Sequence, residues 1–122
     1  IHGYDYAHPF EGSGDNRKPV WALRGGVWLA PAFVHHKIRG QELRREIIKV
    51  LIDALYDLLE DLAGDSKQSH VWVVDCRKIL KEREEWADEI HPTSKSFFKV
   101  AKAFNTTIFK ARDAAAKAKL GS

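Results

Sequence analysis

Methionine is absent from the chain of 122 residues, and only one cysteine, Cys76, is present. A single cysteine excludes a disulfide within the chain. It also excludes a thiolate zinc cluster, which needs several cysteines at set spacings. No apolar run approaches the length that a membrane-spanning helix requires, and no signal-peptide pattern is present. The sequence therefore argues against a disulfide scaffold, a zinc-thiolate protein and a membrane-spanning chain.

The composition is that of a single globular domain. Hydrophobic residues make up 44% of the chain and charged residues 30%, with a net charge of +3. These fractions are typical of a soluble protein. The basic excess is concentrated near the end, in Lys110, Arg112, Lys117 and Lys119. No basic patch is interleaved with exposed aromatic residues, so we do not expect nucleic-acid binding.

Hydrophobic periodicity predicts the main elements. Leucines and isoleucines recur at helical spacing over residues 41–63, which predicts a long helix with its apolar stripe in the core. The β-branched run at 70–76 predicts a strand buried on both faces. Thr93 or Ser94 is expected to cap a second helix, which the residues 110–119 can continue. Residues 7–40 hold three of the four prolines and predict a long functional loop.

The order strand, loop, helix, strand, loop, helix predicts an α/β fold. This order corresponds to half of an α/β sheet with parallel strands and right-handed crossovers. Two strands cannot bury both faces of such a sheet, so the other strands must come from elsewhere. The chain also begins at Ile1, inside an expected strand and without methionine. We therefore expect a piece of a longer protein, with Leu120-Gly121-Ser122 as a cloning scar.

The stretch from Trp86 to Thr93 carries the clearest chemical signal. Asp88 lies three residues before His91, and Pro92 follows the histidine directly. Proline keeps the preceding residue out of the helical region and suits a first helical turn, so His91 is expected on a defined turn. Asp88 can then orient one ring nitrogen of His91, which leaves the other nitrogen to accept a proton from a nucleophile. The alternative is a capping acid beside a surface histidine.

Several segments together resemble the C-terminal half of SGNH (GDSL-type) serine hydrolases. His2-Gly3-Tyr4-Asp5-Tyr6, followed by Pro9, is similar to the end of the family's fourth strand. Trp28-Leu29-Ala30-Pro31 resembles a segment of the loop after it. Val73-Val74-Asp75-Cys76-Arg77 resembles the fifth strand and its exit. The stretch from Trp86 to Thr93 resembles the last conserved block, with its Asp-x-x-His-Pro signature. The resemblance covers residues 1–108.

This resemblance implies a flavodoxin-like three-layer α/β sandwich with a parallel sheet, of which this chain is the C-terminal part. It also implies a carboxylic ester hydrolase with a Ser-His-Asp triad. His91 would be the general base and Asp88 its orienting acid, with no metal or organic cofactor. The family's Gly-Asp-Ser nucleophile motif and its Gly-x-Asn-Asp oxyanion motif are not in this chain. Gly14-Asp15-Asn16 has asparagine where serine is needed, and Ser13 lies in a turn-rich setting without a preceding strand. We therefore expect the chain alone to be inactive and to need the N-terminal half of the hydrolase, on a separate or nicked chain.

Four further residues are candidates for the substrate cleft. Tyr4, Asp5 and Tyr6 end the first expected strand, where they either line the cleft or anchor the long loop by local hydrogen bonds. Trp28 either packs the loop or contacts substrate. The adjacent His35 and His36 are expected to be surface residues rather than metal ligands.

The expected organisation is a hydrolase-half domain at 1–109 and an Ala/Lys-rich helical tail at 110–122. The expected partners are a small-molecule ester and the N-terminal half, without nucleic acid or a membrane span. A non-catalytic α/β interaction module is one alternative. An acyltransferase or carbohydrate deacetylase of the same family is another. The sequence does not decide the compartment. Secretion or periplasmic export of a longer precursor is one option.

Overall fold

The computed structural model describes residues 1–9, 28–65 and 70–120. Helices dominate this part of the chain. The elements are α1 (Ala30–His35), α2 (Gln41–Gly64), a short 3-10 helix (Arg83–Glu85) and α3 (Ser94–Leu120). In the described ranges, no helix is both long and apolar enough to cross a membrane.

Helix α2 confirms the prediction from periodicity to within one residue. It begins after Gly40, whose φ of 91° lies in the left-handed region that favours glycine. The Asp65 N–H donates to the Asp61 carbonyl at 3.1 Å, which closes the last turn. The helix therefore starts and stops where the sequence places its breaks.

Helix α3 begins at the capping residue that the sequence suggested. The Ser96 N–H donates to the Thr93 hydroxyl oxygen at 3.2 Å, which satisfies one of the free donors of the first turn. The helix continues to Leu120, so the Ala/Lys-rich tail is a continuation of α3. Alanine and lysine are both good helix formers, which explains this extension.

The predicted flavodoxin-like α/β sandwich with a parallel sheet is wrong. Over the described residues, the structure is 61% helical with 4% strand and no sheet. In the described residues, the β-structure consists of two isolated bridges, a parallel one between His2 and Val74 and an antiparallel one between Trp86 and Pro92. The β-branched run at 70–76 thus pairs with the 1–3 segment at one point only.

A buried tyrosine explains why this pairing stops. Tyr56 of α2 is fully buried, and its hydroxyl accepts the backbone N–H of Cys76 at 2.7 Å. The same hydroxyl lies 3.4 Å from the Val74 carbonyl oxygen. A side chain has therefore taken backbone groups that a neighbouring strand would use. The apolar pattern predicted a run buried on both faces, but within it only Val74 and Cys76 are buried, and Trp72 and Asp75 are exposed. The pattern also could not show which group pairs with its backbone.

The hydrophobic core is small and gathers residues from distant parts of the chain. It consists of Ala7, Phe33, Ile48, Leu80 and Trp86. The expectation that the whole α2 stripe lies in the core is wrong for four of its residues. These four, Leu43, Leu51, Leu58 and Leu62, are exposed.

Helix α1 interrupts the segment that the sequence predicted as one long loop. Pro31 lies in its first turn, where the missing N–H costs nothing. Phe33 of this helix packs into the core. Ser13 and the Gly14-Asp15-Asn16 segment belong to residues 10–27, which lie outside the described part of the chain.

Candidate functional site

The site is built on a tight turn between the 3-10 helix and α3. The Ala87 N–H donates to the His91 carbonyl at 2.7 Å, and Trp86 forms a bridge with Pro92. Below them, the Thr93 N–H donates to the Glu85 carbonyl at 2.8 Å. The turn is therefore closed at two levels, which holds Asp88 and His91 on the same loop.

Asp88 and His91 contact each other as their spacing suggested. His91 Nδ1 lies 2.7 Å from Asp88 Oδ2. The other carboxylate oxygen, Oδ1, accepts the backbone N–H groups of Ile90 at 2.9 Å and of His91 at 2.8 Å. Burial acts to raise the pKa of Asp88, but these hydrogen bonds outweigh it and lower that pKa. Asp88 is therefore an anionic, well-anchored acceptor at neutral pH.

The His91 imidazole is accessible to solvent, whereas the carboxylate that contacts it is largely buried. The His91 side chain is 53% exposed, whereas the Asp88 side chain is 16% exposed. Within the described ranges, no residue forms a hydrogen bond with Nε2. A nitrogen in this position can accept a proton from an incoming hydroxyl while Nδ1 stays bonded to the carboxylate.

Trp28 joins this pair from a remote part of the sequence. Its indole Nε1–H donates to Asp88 Oδ2 at 3.3 Å, the same oxygen that contacts His91. The indole and imidazole rings meet edge to face, with centroids 5.5 Å apart and an interplanar angle of 73°. Trp28 thus flanks the imidazole on one side. A substrate contact for Trp28 remains a prediction.

Glu89 is the residue of the site that sequence reasoning missed. It is 1% exposed, and its carboxylate accepts three consecutive backbone N–H groups. The donors are Trp28 at 2.6 Å, Leu29 at 2.6 Å and Ala30 at 2.9 Å. These groups lie at the start of α1, where a negative charge is favourable. The signal available in the sequence was a glutamate in an apolar setting, between Trp86 and Ile90.

Asp5 anchors the loop before the 3-10 helix, and not the long loop that one of its two readings assigned to it. It is buried, and its Oδ1 accepts the Lys78 N–H at 2.7 Å while its Oδ2 accepts the Leu80 N–H at 2.6 Å. Tyr4 is exposed. The contacts of Asp5 are therefore made with the loop before the 3-10 helix.

Tyr6 makes its contact with α2. Its hydroxyl donates to Asp53 Oδ1 at 2.6 Å, and burial together with this bond raises the pKa of Tyr6 to about 12. Arg77 reaches the same carboxylate oxygen at 3.2 Å. The contacts of Asp5 thus lead to the 78–80 loop, and those of Tyr6 lead to α2. Trp28, in contrast, contacts the Asp88–His91 pair.

The described residues do not provide a nucleophile or a metal site next to His91. Cys76 is buried at the Tyr56 contact, where burial raises the pKa of its thiol. Ser96 accepts a hydrogen bond from the Thr93 hydroxyl at 2.8 Å. In the described part of the chain, no group of three or more His, Cys, Asp or Glu side chains could hold a metal ion. His35 and His36 are exposed, with ring centroids 5.0 Å apart.

Comparisons with known proteins do not add a relative. No protein-family model, no curated protein and no solved structure matches this chain.

Proposed function

We propose that Asp88 and His91 are the acid–base pair of a serine-type carboxylic ester hydrolase. The observation that carries the proposal is the 2.7 Å contact between Asp88 Oδ2 and His91 Nδ1, combined with a solvent-exposed imidazole. This is the arrangement that a base needs if it is to activate a hydroxyl. The nucleophilic serine and the oxyanion donors would come from a second polypeptide segment, because the chain lacks their motifs.

The reaction would proceed in four proton transfers at one atom, two in acylation and two in deacylation. His91 Nε2 accepts the serine proton as the serine oxygen attacks the ester carbonyl carbon. The Asp88 carboxylate stabilises the imidazolium that forms. His91 then gives the proton to the leaving alcohol as the carbon–oxygen bond of the ester breaks. The same nitrogen deprotonates a water that attacks the acyl-serine, and it returns this proton to the serine oxygen as the carboxylic acid leaves.

The first test measures p-nitrophenyl acetate hydrolysis by this chain alone and mixed with a polypeptide that carries Gly-Asp-Ser and Gly-x-Asn-Asp motifs. The isolated chain should not exceed the buffer rate, and the mixture should. In the mixture, His91→Ala should abolish the activity, and Asp88→Asn should lower kcat on the order of 10³- to 10⁴-fold. The control is His36→Ala, an exposed histidine that should leave the rate unchanged.

Two results would overturn this proposal. One is a mixture, shown to associate, that has no esterase activity. The other, hydrolysis by the isolated chain that His91→Ala abolishes, would overturn its second-segment part, because the base would then have its own nucleophile. An acyltransferase or carbohydrate deacetylase would use the same pair, since these enzymes differ in the acyl acceptor or in the alcohol side of the substrate. Product analysis with acetylated sugars separates these reactions.

A non-catalytic interaction module is the second candidate. The observation that favours it is the number of large apolar side chains that α2 and α3 leave exposed, among them Leu51, Leu58, Phe97 and Phe98. Patches of this kind mark interaction surfaces. A partner complex without ester hydrolysis, in which His91→Ala changes nothing, would favour this function over the first.

A further inference from the structure

Helix α2 exposes an apolar face that the core does not use. This α2 apolar face consists of Leu43, Val50, Leu51, Leu58 and Leu62. At 100° per residue, these side chains cover about a third of the helix circumference and adjoin the buried side that carries Ile48 and Tyr56. A surface helix normally buries one apolar stripe against the core. We therefore expect this second, exposed stripe to be covered by another protein surface.

Helix α3 exposes a matching face. This α3 apolar face consists of Phe97, Phe98, Ile108 and Phe109. Beside it runs a groove of about 390 Å³, lined by Phe97, Val100, Ala101, Phe104, Asn105 and Ile108. Phe98 is 75% exposed. Leaving so much apolar surface in water is unfavourable and is unusual for a phenylalanine. The groove offers a recess of the size that a leucine or isoleucine side chain can enter.

The two helices carry opposite charge along these faces. Helix α2 has six acidic and three basic residues, whereas α3 has seven basic residues and one acidic residue. The exposed acids Glu46, Asp57 and Asp61 lie within or along the edge of the α2 apolar face. The exposed lysines Lys95 and Lys102 lie along the edge of the α3 apolar face. When two such helices pack in parallel, helical periodicity places the acidic edge of one against the basic edge of the other.

From this complementarity we infer that the chain forms a twofold homodimer in which α2 of each copy packs on α3 of the other. The contact occurs twice, so the assembly closes and does not propagate into fibres. Leu58 and its neighbours would enter the α3 groove of the second copy, and the acidic and basic edges would face each other at the rim. The inference does not depend on the proposed ester hydrolysis, because neither apolar face includes Asp88 or His91.

Sedimentation equilibrium of the full chain tests this directly. We expect a particle of twice the 13.9 kDa chain mass. Leu58→Glu on α2 and Phe98→Glu on α3 should each weaken the dimer by at least about tenfold, since a charge would be buried at the centre of the contact. The control is Ala114→Glu, which adds the same charge at an exposed position on the opposite side of α3 and should leave the dimer intact.

A charge exchange checks the pairing between copies. Asp57→Lys and Lys102→Glu should each weaken the dimer, and the double variant should recover most of the lost affinity. Raising the salt from 0.05 M to 1 M should remove the effect of the exchange. Circular dichroism shows whether each variant keeps its helices, so a failure to fold is not mistaken for a failure to dimerise.

Several outcomes would overturn the inference. They include a chain that is monomeric at all concentrations and an assembly that grows without a discrete dimer. A dimer that responds to only one of Leu58→Glu and Phe98→Glu would show that α2 pairs with α2, or α3 with α3. A chain that stays monomeric but binds a serine-bearing polypeptide through these faces would assign them to that partner instead.

Discussion

The backbone N–H of Trp28 donates to the buried carboxylate of Glu89 at 2.6 Å, across 61 positions of sequence. This bond, with the two that follow it along the chain, ties the start of α1 to the turn that carries Asp88 and His91. The indole of Trp28 is thereby kept at the Asp88 carboxylate. One buried side chain thus connects two segments that sequence patterns treat separately.

Removing this carboxylate should strongly destabilise the fold. Glu89→Ala leaves three N–H groups without their acceptor, and an unsatisfied buried donor costs about 1–3 kcal/mol. Leu29 and Trp28 are partly accessible to water, so we expect a loss of about 2–4 kcal/mol in the free energy of unfolding. Urea titration measures it. Glu84→Ala, an exposed neighbour, should change stability by no more than about 0.5 kcal/mol. Equal effects of both variants would contradict this role of Glu89.

The Asp88 contact should fix the tautomer of His91. With the carboxylate at Nδ1, the neutral ring should carry its proton on Nδ1 and leave Nε2 as the acceptor. Nitrogen-15 NMR of the neutral ring distinguishes the two tautomers. Asp88→Asn should shift the population toward the Nε2–H form, whereas Asp75→Asn, a substitution elsewhere on the surface, should not. A predominant Nε2–H form in the unmodified chain would argue against the proposed base.

Gly3 lies where a side chain does not fit. A Cβ atom added there would lie 2.8 Å from Cε2 and 3.0 Å from Cζ of the buried Tyr56 ring. Tyr56 would have to move and would weaken its bond with the Cys76 N–H, so Gly3→Ala should cost about 1–3 kcal/mol. Thermal unfolding measures the loss. Gly64→Ala is the matched control, because nothing lies within 4 Å of the added atom at this helical position. Its effect should be neutral or stabilising by up to about 1 kcal/mol.

The contact between Tyr6 and Asp53 should make stability depend on acid pH. The Tyr6 hydroxyl, with help from Lys49 and Arg77, outweighs partial burial and lowers the pKa of Asp53 to about 2. In the unfolded chain this pKa is about 3.9. A lowered pKa in the folded state contributes stability that is full above about pH 4 and is lost as the pH falls toward about 2.

The variant Asp53→Asn tests this dependence. It should be less stable than the unmodified chain at pH 6, and the difference should shrink at pH 2. Denaturant unfolding at the two pH values gives the comparison, with Glu84→Gln, at an exposed acid of the 3-10 helix, as the control. A difference that stays constant between pH 6 and pH 2 would contradict the assignment.

Local patterns predicted the parts of this chain that local physics decides. The bounds of α2, the Thr93 cap of α3 and the pairing of Asp88 with His91 all depend on residues within a few positions of each other. The error at 70–76 has the opposite origin. An apolar β-branched run indicates burial, but the Cys76 N–H pairs with a tyrosine hydroxyl from α2 rather than with a strand. The role of Glu89 was missed for the same reason, since its donors lie about sixty positions away.

Thr93 closes the turn that carries His91 and also caps α3, so the imidazole and the long helix share one anchor. One residue, Pro92, separates His91 from that cap. A tilt of α3 would therefore shift the imidazole with little compliance in between. If His91 is the proposed base, a molecule that binds α3 far from the turn would change the position of the proton-accepting nitrogen.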